Sequence, residues 1–458
     1  MKRLRFSSLL LIFLLSWVFA PQVSKAGGSE RQVQPLVLTL EQAISLALER
    51  NRDVLIAEQD RYKADAQIGE AKSGAFPQVS FSGQYERNVK PSVLFLPPGS
   101  AFNTTGSVMT IKLGSDNSYT AGLQLSQTLF SPKLRTAIDI AEDYQEFTQK
   151  SYEGTTQDVV LGVKRAFYAV MLAQRLVDVS REGLEVAKAN YENVRSLYNH
   201  GAAAEYDFLR AEVQVASTEP MLIQAENNLE LAKNALKNLL AVDLKQEIEV
   251  KGDFIYAETP ADLVQQANSA ALEKNPTIRQ LALQESILQK NIDIERADYF
   301  PTLSLFGSYQ WQTQDNSFRL RDYTWAQSLV VGVQVSYSLF NGFRTSSRAE
   351  QASIDRQKVQ YTRLKAEEGL SIQILQAQLN MEEAKKRIAA QEKSISQAEK
   401  ALAIAQTRYK SGVGTQLELL DTEAALTRTQ TNYAQAVYDF LIAKAEWERA
   451  VGWSQDVH

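Results

Sequence analysis

The sequence predicts a mixed fold, in which long coiled-coil helices are combined with short strands of a transmembrane β-sheet. Two long segments carry apolar residues at every seventh position, which is the pattern of coiled coils. Four short segments alternate polar and apolar residues, as strands with one wet and one apolar face do. Both patterns occur twice in the same order, which indicates a duplicated helix-strand-strand-helix repeat.

The clearest heptad pattern occupies the second half of the chain. Its large seam positions are Ile374, Met381, Ile388, Ile395, Leu402 and Tyr409. A glycine-rich turn at 410–415 ends this pattern, and a second one returns through Leu419, Leu426, Tyr433, Phe440 and Trp447. We therefore predict a long antiparallel helical hairpin with its tip near Gly412.

The same hairpin occurs 211 residues earlier, so that Gly201 corresponds to Gly412. The first seam there consists of Val163, Val170, Val177, Leu184, Tyr191 and Tyr198. The returning seam consists of Phe208, Val215, Leu222, Leu229 and Leu236. Because register, residue size and the tip glycine all repeat, we infer an internal duplication with two hairpins per chain.

The composition excludes several classes of protein. The chain has 458 residues, of which 44% are hydrophobic, and a net charge of -5, which fits neither a disordered protein nor one that binds nucleic acid. Cysteine is absent, so disulfides, thiolate metal sites and a lipidated N-terminal cysteine are excluded. The two histidines, His200 and His458, are far apart in sequence. We therefore expect no enzyme activity, no metal centre and no cofactor.

The N-terminus has the pattern of a secretory signal. Residues 1–26 combine an early positive charge, an apolar core and a small-x-small cleavage site, and residues 27–39 are predicted to form a flexible leader. The apolar core is about 12 residues long, whereas a membrane-spanning helix needs roughly 20. No later segment has a comparable apolar run, so any part within a membrane is expected to consist of strands.

The first repeat is predicted to span residues 40–241. A helix from Leu40 to about Ser73 is followed by a strand at 78–85, a loop rich in proline and glycine at 86–117, and a strand at 121–130.

A helix at 133–198 then contains about 66 residues, close to 100 Å at ~1.5 Å per residue. The returning helix at 204–240 contains Pro220, which is expected to kink or split it. Residues 242–258 form a linker between the repeats.

The second repeat is predicted to span residues 259–452, before a short tail at 453–458. Its first helix is expected to break at Asn275–Thr277, the position that corresponds to Asn51–Asp53. Its strands are predicted at 300–309 and 332–340.

Four strands per chain are too few to close a barrel, although several copies could close one together. Aromatic residues lie at or near the strand ends, as in the girdles of outer-membrane barrels. These residues are Tyr85, Phe95, Tyr119, Phe130, Tyr309, Trp311, Tyr323, Trp325, Tyr337 and Phe340. The alternative, judged from the strands alone, is an ordinary soluble sheet with an aromatic core.

The whole mature chain resembles the TolC family of outer-membrane efflux proteins. The resemblance rests on Phe76-Pro77 and Phe300-Pro301, on the strand ends at 129–130 and 339–342, and on the segment from Tyr409 to Asp421. It implies a homotrimer with one twelve-stranded β-barrel in the outer membrane and a coiled-coil α-barrel in the periplasm. It also implies a passive exit duct of a tripartite efflux or type I secretion system.

The resemblance assigns partners and sites to this chain. An inner-membrane pump of RND, ABC or MFS type would supply the energy, and a periplasmic adaptor would dock at the hairpin tips. The matching tip residues are Gly201, Ala202, Ala203, Gly412, Val413, Gly414 and Thr415. Glu418 and Asp421 match the acidic ring at the periplasmic entrance. The alternative for this pair is a complement to the helix dipole, because both lie near a helix start.

The chain departs from the family pattern at one position. The prototype closes its tips with an arginine after the second tip glycine, bonded to an aspartate of the other hairpin. Asp207 matches the aspartate, but Gly414 occupies the arginine position. Tyr409 and Tyr198 are further gate candidates, and Arg408, Lys410 and Arg210 are nearby substitutes for the arginine. A second hypothesis for the whole chain is a periplasmic coiled-coil adaptor. The exported substrate cannot be deduced from these patterns.

Overall fold

A computed structural model describes residues 35–257 and 260–453. The signal peptide at 1–26, the leader residues 27–34 and the tail residues 454–458 lie outside the described residues. The first repeat comprises α1 (Leu40–Arg50), α2 (Arg52–Ser73), β2 (Gln78–Arg87), β3 (Val93–Leu96), β4 (Met109–Lys112), β5 (Asn117–Phe130), α3 (Pro132–Asn199) and α4 (Glu205–Leu239), with β1 (Leu36–Leu38) before it and β6 (Ile248–Val250) after it in the linker. The second comprises α5 (Ala261–Lys274), α6 (Pro276–Arg296), β7 (Thr302–Asp315), β8 (Ala326–Ser336), α7 (Arg344–Lys410) and α8 (Gln416–Ala450).

The two predicted helical hairpins are confirmed. Helices α3 and α7 contain 68 and 67 residues, so each is about 100 Å long at ~1.5 Å per residue. Helix α3 packs against α4 and α8, and α8 packs against α7, which places the two hairpins side by side. Within residues 35–257 and 260–453, no helix is both long and apolar enough to cross a membrane.

The four predicted strands form one antiparallel sheet in the order β2-β5-β7-β8. The central pairing joins the two repeats, with Leu123 opposite Tyr309 and Leu125 opposite Gly307. The sequence predicts a strand at 332–340, but β8 ends at Ser336. Tyr337 and Phe340 therefore follow the strand and are not part of it. Strands β2 and β8 each have a neighbour on one side only within the described chain, so the sheet has two free edges.

The two faces of this sheet differ in chemistry. Because side chains alternate along a strand, the pairing register assigns each residue to a face. One face carries Val79, Phe81, Leu123, Leu125, Leu305, Tyr309, Leu329, Val331 and Val333. The opposite face carries Ser80, Ser82, Gln124, Ser126, Ser304, Ser308, Gln310, Ser328 and Gln334, with Phe306 and Val330 as apolar exceptions. This division is typical of a sheet with one face toward lipid and the other toward water.

Each repeat contains the same interruption between its first two helices. Asn51 caps α2 by accepting a hydrogen bond from the Asp53 amide, and Asn275 caps α6 by accepting one from the Thr277 amide. Each asparagine also donates its side-chain amide to the last turn of a returning helix, at the Leu239 carbonyl (2.9 Å) or the Ala450 carbonyl (3.0 Å). The predicted breaks are therefore the points where each repeat closes on itself.

Three segments differ from the sequence predictions. Helix α4 continues through Pro220 without being split. The loop at 86–117 contains the small hairpin of β3 and β4. Residues 36–38, assigned to the flexible leader, form β1, which pairs in parallel with β6, and Leu38 is buried. This pairing fixes residues 36–38 against the linker at 242–258.

Candidate pore entrance at the hairpin tips

The two hairpin tips have the same backbone geometry. Gly201 and Gly412 adopt the left-handed conformation, with φ of 71° and 73°. The next amide then bonds back to the helix, from Ala202 to Leu197 (2.8 Å) and from Val413 to Arg408 (3.1 Å). These bonds are those of a Schellman helix end, which favours glycine at this position. Both tips are therefore compact turns that satisfy the last carbonyls of their helices.

The residues assigned to adaptor docking form the surface of these turns. Gly201, Ala202, Gly412, Val413 and Thr415 are exposed, whereas Ala203 and Gly414 are half-buried. Val413 is an apolar side chain that is 71% exposed. The tips thus offer small, largely uncharged surfaces at the end of each hairpin.

Gly414 has no room for a side chain. A Cβ atom there would lie 2.8 Å from the Arg408 Cβ and 2.9 Å from the Tyr409 amide nitrogen. The amide of Gly414 also donates to the Arg408 carbonyl at 3.0 Å. The prototype's arginine therefore cannot be placed at this position without moving the end of α7.

Among the substitutes for that arginine, Arg408 is already engaged within its own hairpin. Its guanidinium lies 3.4 Å from the Glu418 carboxylate, and it donates a long hydrogen bond (3.5 Å) to the Val413 carbonyl. The pair is about half exposed, so solvent screens it and it adds little to stability. Its main effect is electrostatic, because it places a positive charge beside one of the two predicted entrance acids.

Glu418 and Asp421 both lie exposed on the first turns of α8. The Glu418 amide donates to the Thr415 hydroxyl (3.2 Å), which caps the helix. Glu418 is therefore placed where a carboxylate complements the helix dipole, and Asp421 follows one turn later on a similar face. This geometry is compatible with the dipole role and with a ring of acids at an entrance.

The structure brings Tyr409 and Asp207 together from different hairpins. Burial, and secondly the charge of Asp207, raise the pKa of the Tyr409 hydroxyl above its usual value. The tyrosine hydroxyl thus stays protonated in the electrostatic neighbourhood of Asp207. Tyr198 differs, because its ring stacks on Phe208 at 5.2 Å within its own hairpin. Tyr198 therefore stabilises one tip, whereas Tyr409 faces the other hairpin.

Three polar residues near the tips were not predicted from the sequence. Asn190 on α3 and Gln416 on α8 are 7% and 4% exposed, and neither amide group has a hydrogen-bond partner among the described residues. One carboxylate oxygen of Glu423 is also buried without a partner, and burial raises the pKa of Glu423 to about 7. The available signal was the seven-residue spacing of Gln416 and Glu423, which places both on one face of α8.

The known proteins to which this chain is similar are outer-membrane, efflux and secretion proteins. The sequence model described as "Outer membrane efflux protein" matches residues 43–242 and 267–452. The chain is 20% identical to the outer membrane protein TolC of Vibrio cholerae over 334 residues (72% of this chain and 76% of that protein). It is 22% identical to the alkaline protease secretion protein AprF of Pseudomonas aeruginosa over 335 residues (72% and 68%). The solved CmeC outer membrane channel of Campylobacter jejuni has a similar fold, with a TM-score of 0.72, 19% identity and coverage of 91% and 87%.

Proposed function

This chain belongs to the outer membrane efflux protein family, and from that premise we propose that three copies of it form one closed exit duct. As a member of this family, it is an outer-membrane channel with its long helices in the periplasm. Family membership favours this function over the periplasmic adaptor considered from the sequence. The proposal adds the number of copies, the partners and the roles of individual residues.

The free edges of the sheet carry the proposal of a trimer. A sheet of four strands with an apolar and a polar face cannot close on itself. Twelve strands from three copies would pair β2 of each chain with β8 of the next, which removes the exposed edges. The apolar face would then meet lipid, and the helices would continue the wall into the periplasm.

Cysteine pairs can test this arrangement, because the chain contains no cysteine of its own. We expect pairs introduced along β2 and β8, scanned from Ser80 and Ser82 against Ser328 and Gln334, to form disulfides between chains. On non-reducing gels the products should reach the mass of three chains and no more. Pairs across β5 and β7, which are neighbours within one chain, serve as the control. Disulfides confined to single chains would rule out the trimeric barrel.

We further propose that Glu418 and Asp421 line the periplasmic entrance. Three copies of each would form rings of carboxylates, which favour cations and repel anions. Replacing both with alanine should reduce the cation preference of the channel in planar bilayers. Arg408→Gln should have the opposite effect, because it frees Glu418 from its ion pair at 3.4 Å. Unchanged selectivity in both variants would leave only the helix-dipole role.

The tips are the proposed docking site for a periplasmic adaptor, which would connect the duct to an inner-membrane pump. The support is their exposure and their lack of bulky charged groups at 201–203 and 412–415. A charge placed at Ala202 or Val413, outside the two positive-φ glycines, should impair efflux while trimers still form. Normal efflux in these variants would place the docking surface elsewhere.

A further inference from the structure

The contact between the two hairpins changes character toward the periplasmic tips. Farther from the tips, α3 and α8 are joined by the ion pairs of Lys164 with Glu448 and of Arg165 with Glu446. Near the tips, the buried positions instead include the unpartnered amides of Asn190 and Gln416 and a carboxylate oxygen of Glu423. Unpartnered polar groups are unfavourable in a buried contact, so this part of the contact is its weakest part.

The antiparallel packing of α3 and α8 brings Asn190 close to the level of Gln416 and Glu423. Lys164 pairs with Glu448, and Gly183 approaches the Thr427 hydroxyl. Counting seven residues farther along both helices places Asn190 at the level of Leu420, midway between Gln416 and Glu423. Gln416 and Glu423 are two helical turns apart on one face of α8, at about 10 Å. By this register, Asn190 lies between the levels of these two residues of α8.

No charged side chain faces Glu423 from the two helices packed against α8. The inward residues at this level are Leu184, Ala187 and Asn190 on α3 and Leu402 and Ala405 on α7. The charged residues of these stretches are exposed, namely Glu185, Lys188, Glu399, Lys400 and Arg408 on α3 and α7, and Glu418, Asp421 and Arg428 on α8 itself. Burial alone accounts for the raised pKa of Glu423, which is about 7.

We propose that Asn190, Gln416 and Glu423 form a proton-sensitive joint, which holds the two hairpins together when Glu423 is protonated and weakens when it ionises. A protonated Glu423 carboxyl can donate to the unpartnered amide oxygen of Asn190, which lies between the levels of Gln416 and Glu423. An ionised carboxylate in the same position has no cation to pair with, so the joint opens to hydrate it. The proposal rests on the proposed function, since the separation of the hairpins would widen the entrance of the duct.

The direction of the pH effect follows from the two pKa values. The pKa of Glu423 is about 7 in the closed joint, against 4.5 for an ordinary glutamate. The closed form is therefore fully favoured below pH 4.5, and this advantage disappears as the pH rises through 7. Between pH 5.5 and 8.5 the ratio of closed to open joints should fall about 30-fold per chain.

Spin labels at the two tips can measure this change in the full-length protein. Ala203→Cys and Val413→Cys provide the only thiols, and dilution with unlabelled chains leaves one labelled copy in each trimer. We expect the fraction of molecules with a longer distance between the two labels to be larger at pH 8.5 than at pH 5.5. Glu423→Gln, which cannot ionise, should keep the short distance at both values. Glu185→Gln, an exposed carboxylate on α3, should behave like the parent protein.

Two outcomes would overturn the joint. One is a label distance in the parent protein that does not depend on pH. The other is the same pH dependence in Glu423→Gln as in the parent. Ion currents in planar bilayers distinguish a failure of the proposed joint from a failure of the proposed exit duct. A duct that conducts ions equally at both pH values contradicts only the joint, whereas a protein that conducts at neither contradicts the proposed function.

Discussion

A single glycine decides how the second tip is built. At position 414 any side chain would collide with the backbone of Arg408 and Tyr409. Near this glycine, Arg408 approaches Glu418 of the returning helix. Between the two hairpins at this level, Tyr409 lies near Asp207.

Restoring the prototype's arginine should therefore damage the tip. We expect Gly414→Arg to destabilise the protein by about 1–3 kcal/mol, because the end of α7 must move to admit the side chain. Thermal unfolding of the purified protein would measure this loss. Lys410→Arg, at an exposed position of the same turn, should change stability by less than about 0.5 kcal/mol. Equal unfolding temperatures for Gly414→Arg and the parent would show that the tip adapts easily.

At the scale of elements, the two asparagines join each repeat into a closed unit. Each caps one helix with its oxygen and holds the end of a returning helix with its nitrogen. Asn275 is 1% exposed. If its side chain were removed, the Ala450 carbonyl that it binds would have no access to water. Both functions depend on one side chain of the right length.

Variants of Asn275 should separate the two functions. We expect Asn275→Ala to cost about 2–4 kcal/mol, because it removes a helix cap and leaves the Ala450 carbonyl unpaired. Asn275→Ser keeps an oxygen for the cap but cannot reach that carbonyl, so its cost should be about half as large. Chemical denaturation followed by circular dichroism would measure both. A serine variant as stable as the parent would assign all of the effect to the cap.

The sequence was most informative where one pattern persists over many turns. The predicted helix at 133–198 matches α3 within one residue at each end. The seven-residue spacing from Ile374 to Tyr409 marked the second half of α7, which begins at Arg344, and Pro276 marked the break in its repeat. The continuity of α4 was not predictable, because Pro220 and Ala216 lie on an exposed side where solvent can satisfy the freed carbonyl. Asn190 and Glu423 were missed because polar residues in a heptad pattern indicate a wet surface, and only packing shows that Asn190 and one carboxylate oxygen of Glu423 are buried.

At the scale of the whole molecule, one chain is an incomplete wall. The sheet ends in free edges, and exposed apolar residues such as Ile372, Leu375 and Leu379 lie along α7. Both features are costly for an isolated chain in water or lipid. Three copies would cover them at once, so closure of the barrel and closure of the tunnel belong to one assembly step.

The two faces of the sheet allow this assembly to be tested with a matched pair of lysines. Val331 lies near the middle of β8 on the apolar face, and Gln334 lies three residues later on the polar face. If the apolar face meets lipid, Val331→Lys should oppose insertion by about 2–4 kcal/mol, the cost of a lysine near the bilayer midplane. Gln334→Lys should be tolerated, because its charge would point into water. The amount of trimer recovered from outer membranes measures both variants. Similar recovery of the two would contradict the assignment of the faces, and with it the barrel on which the duct depends.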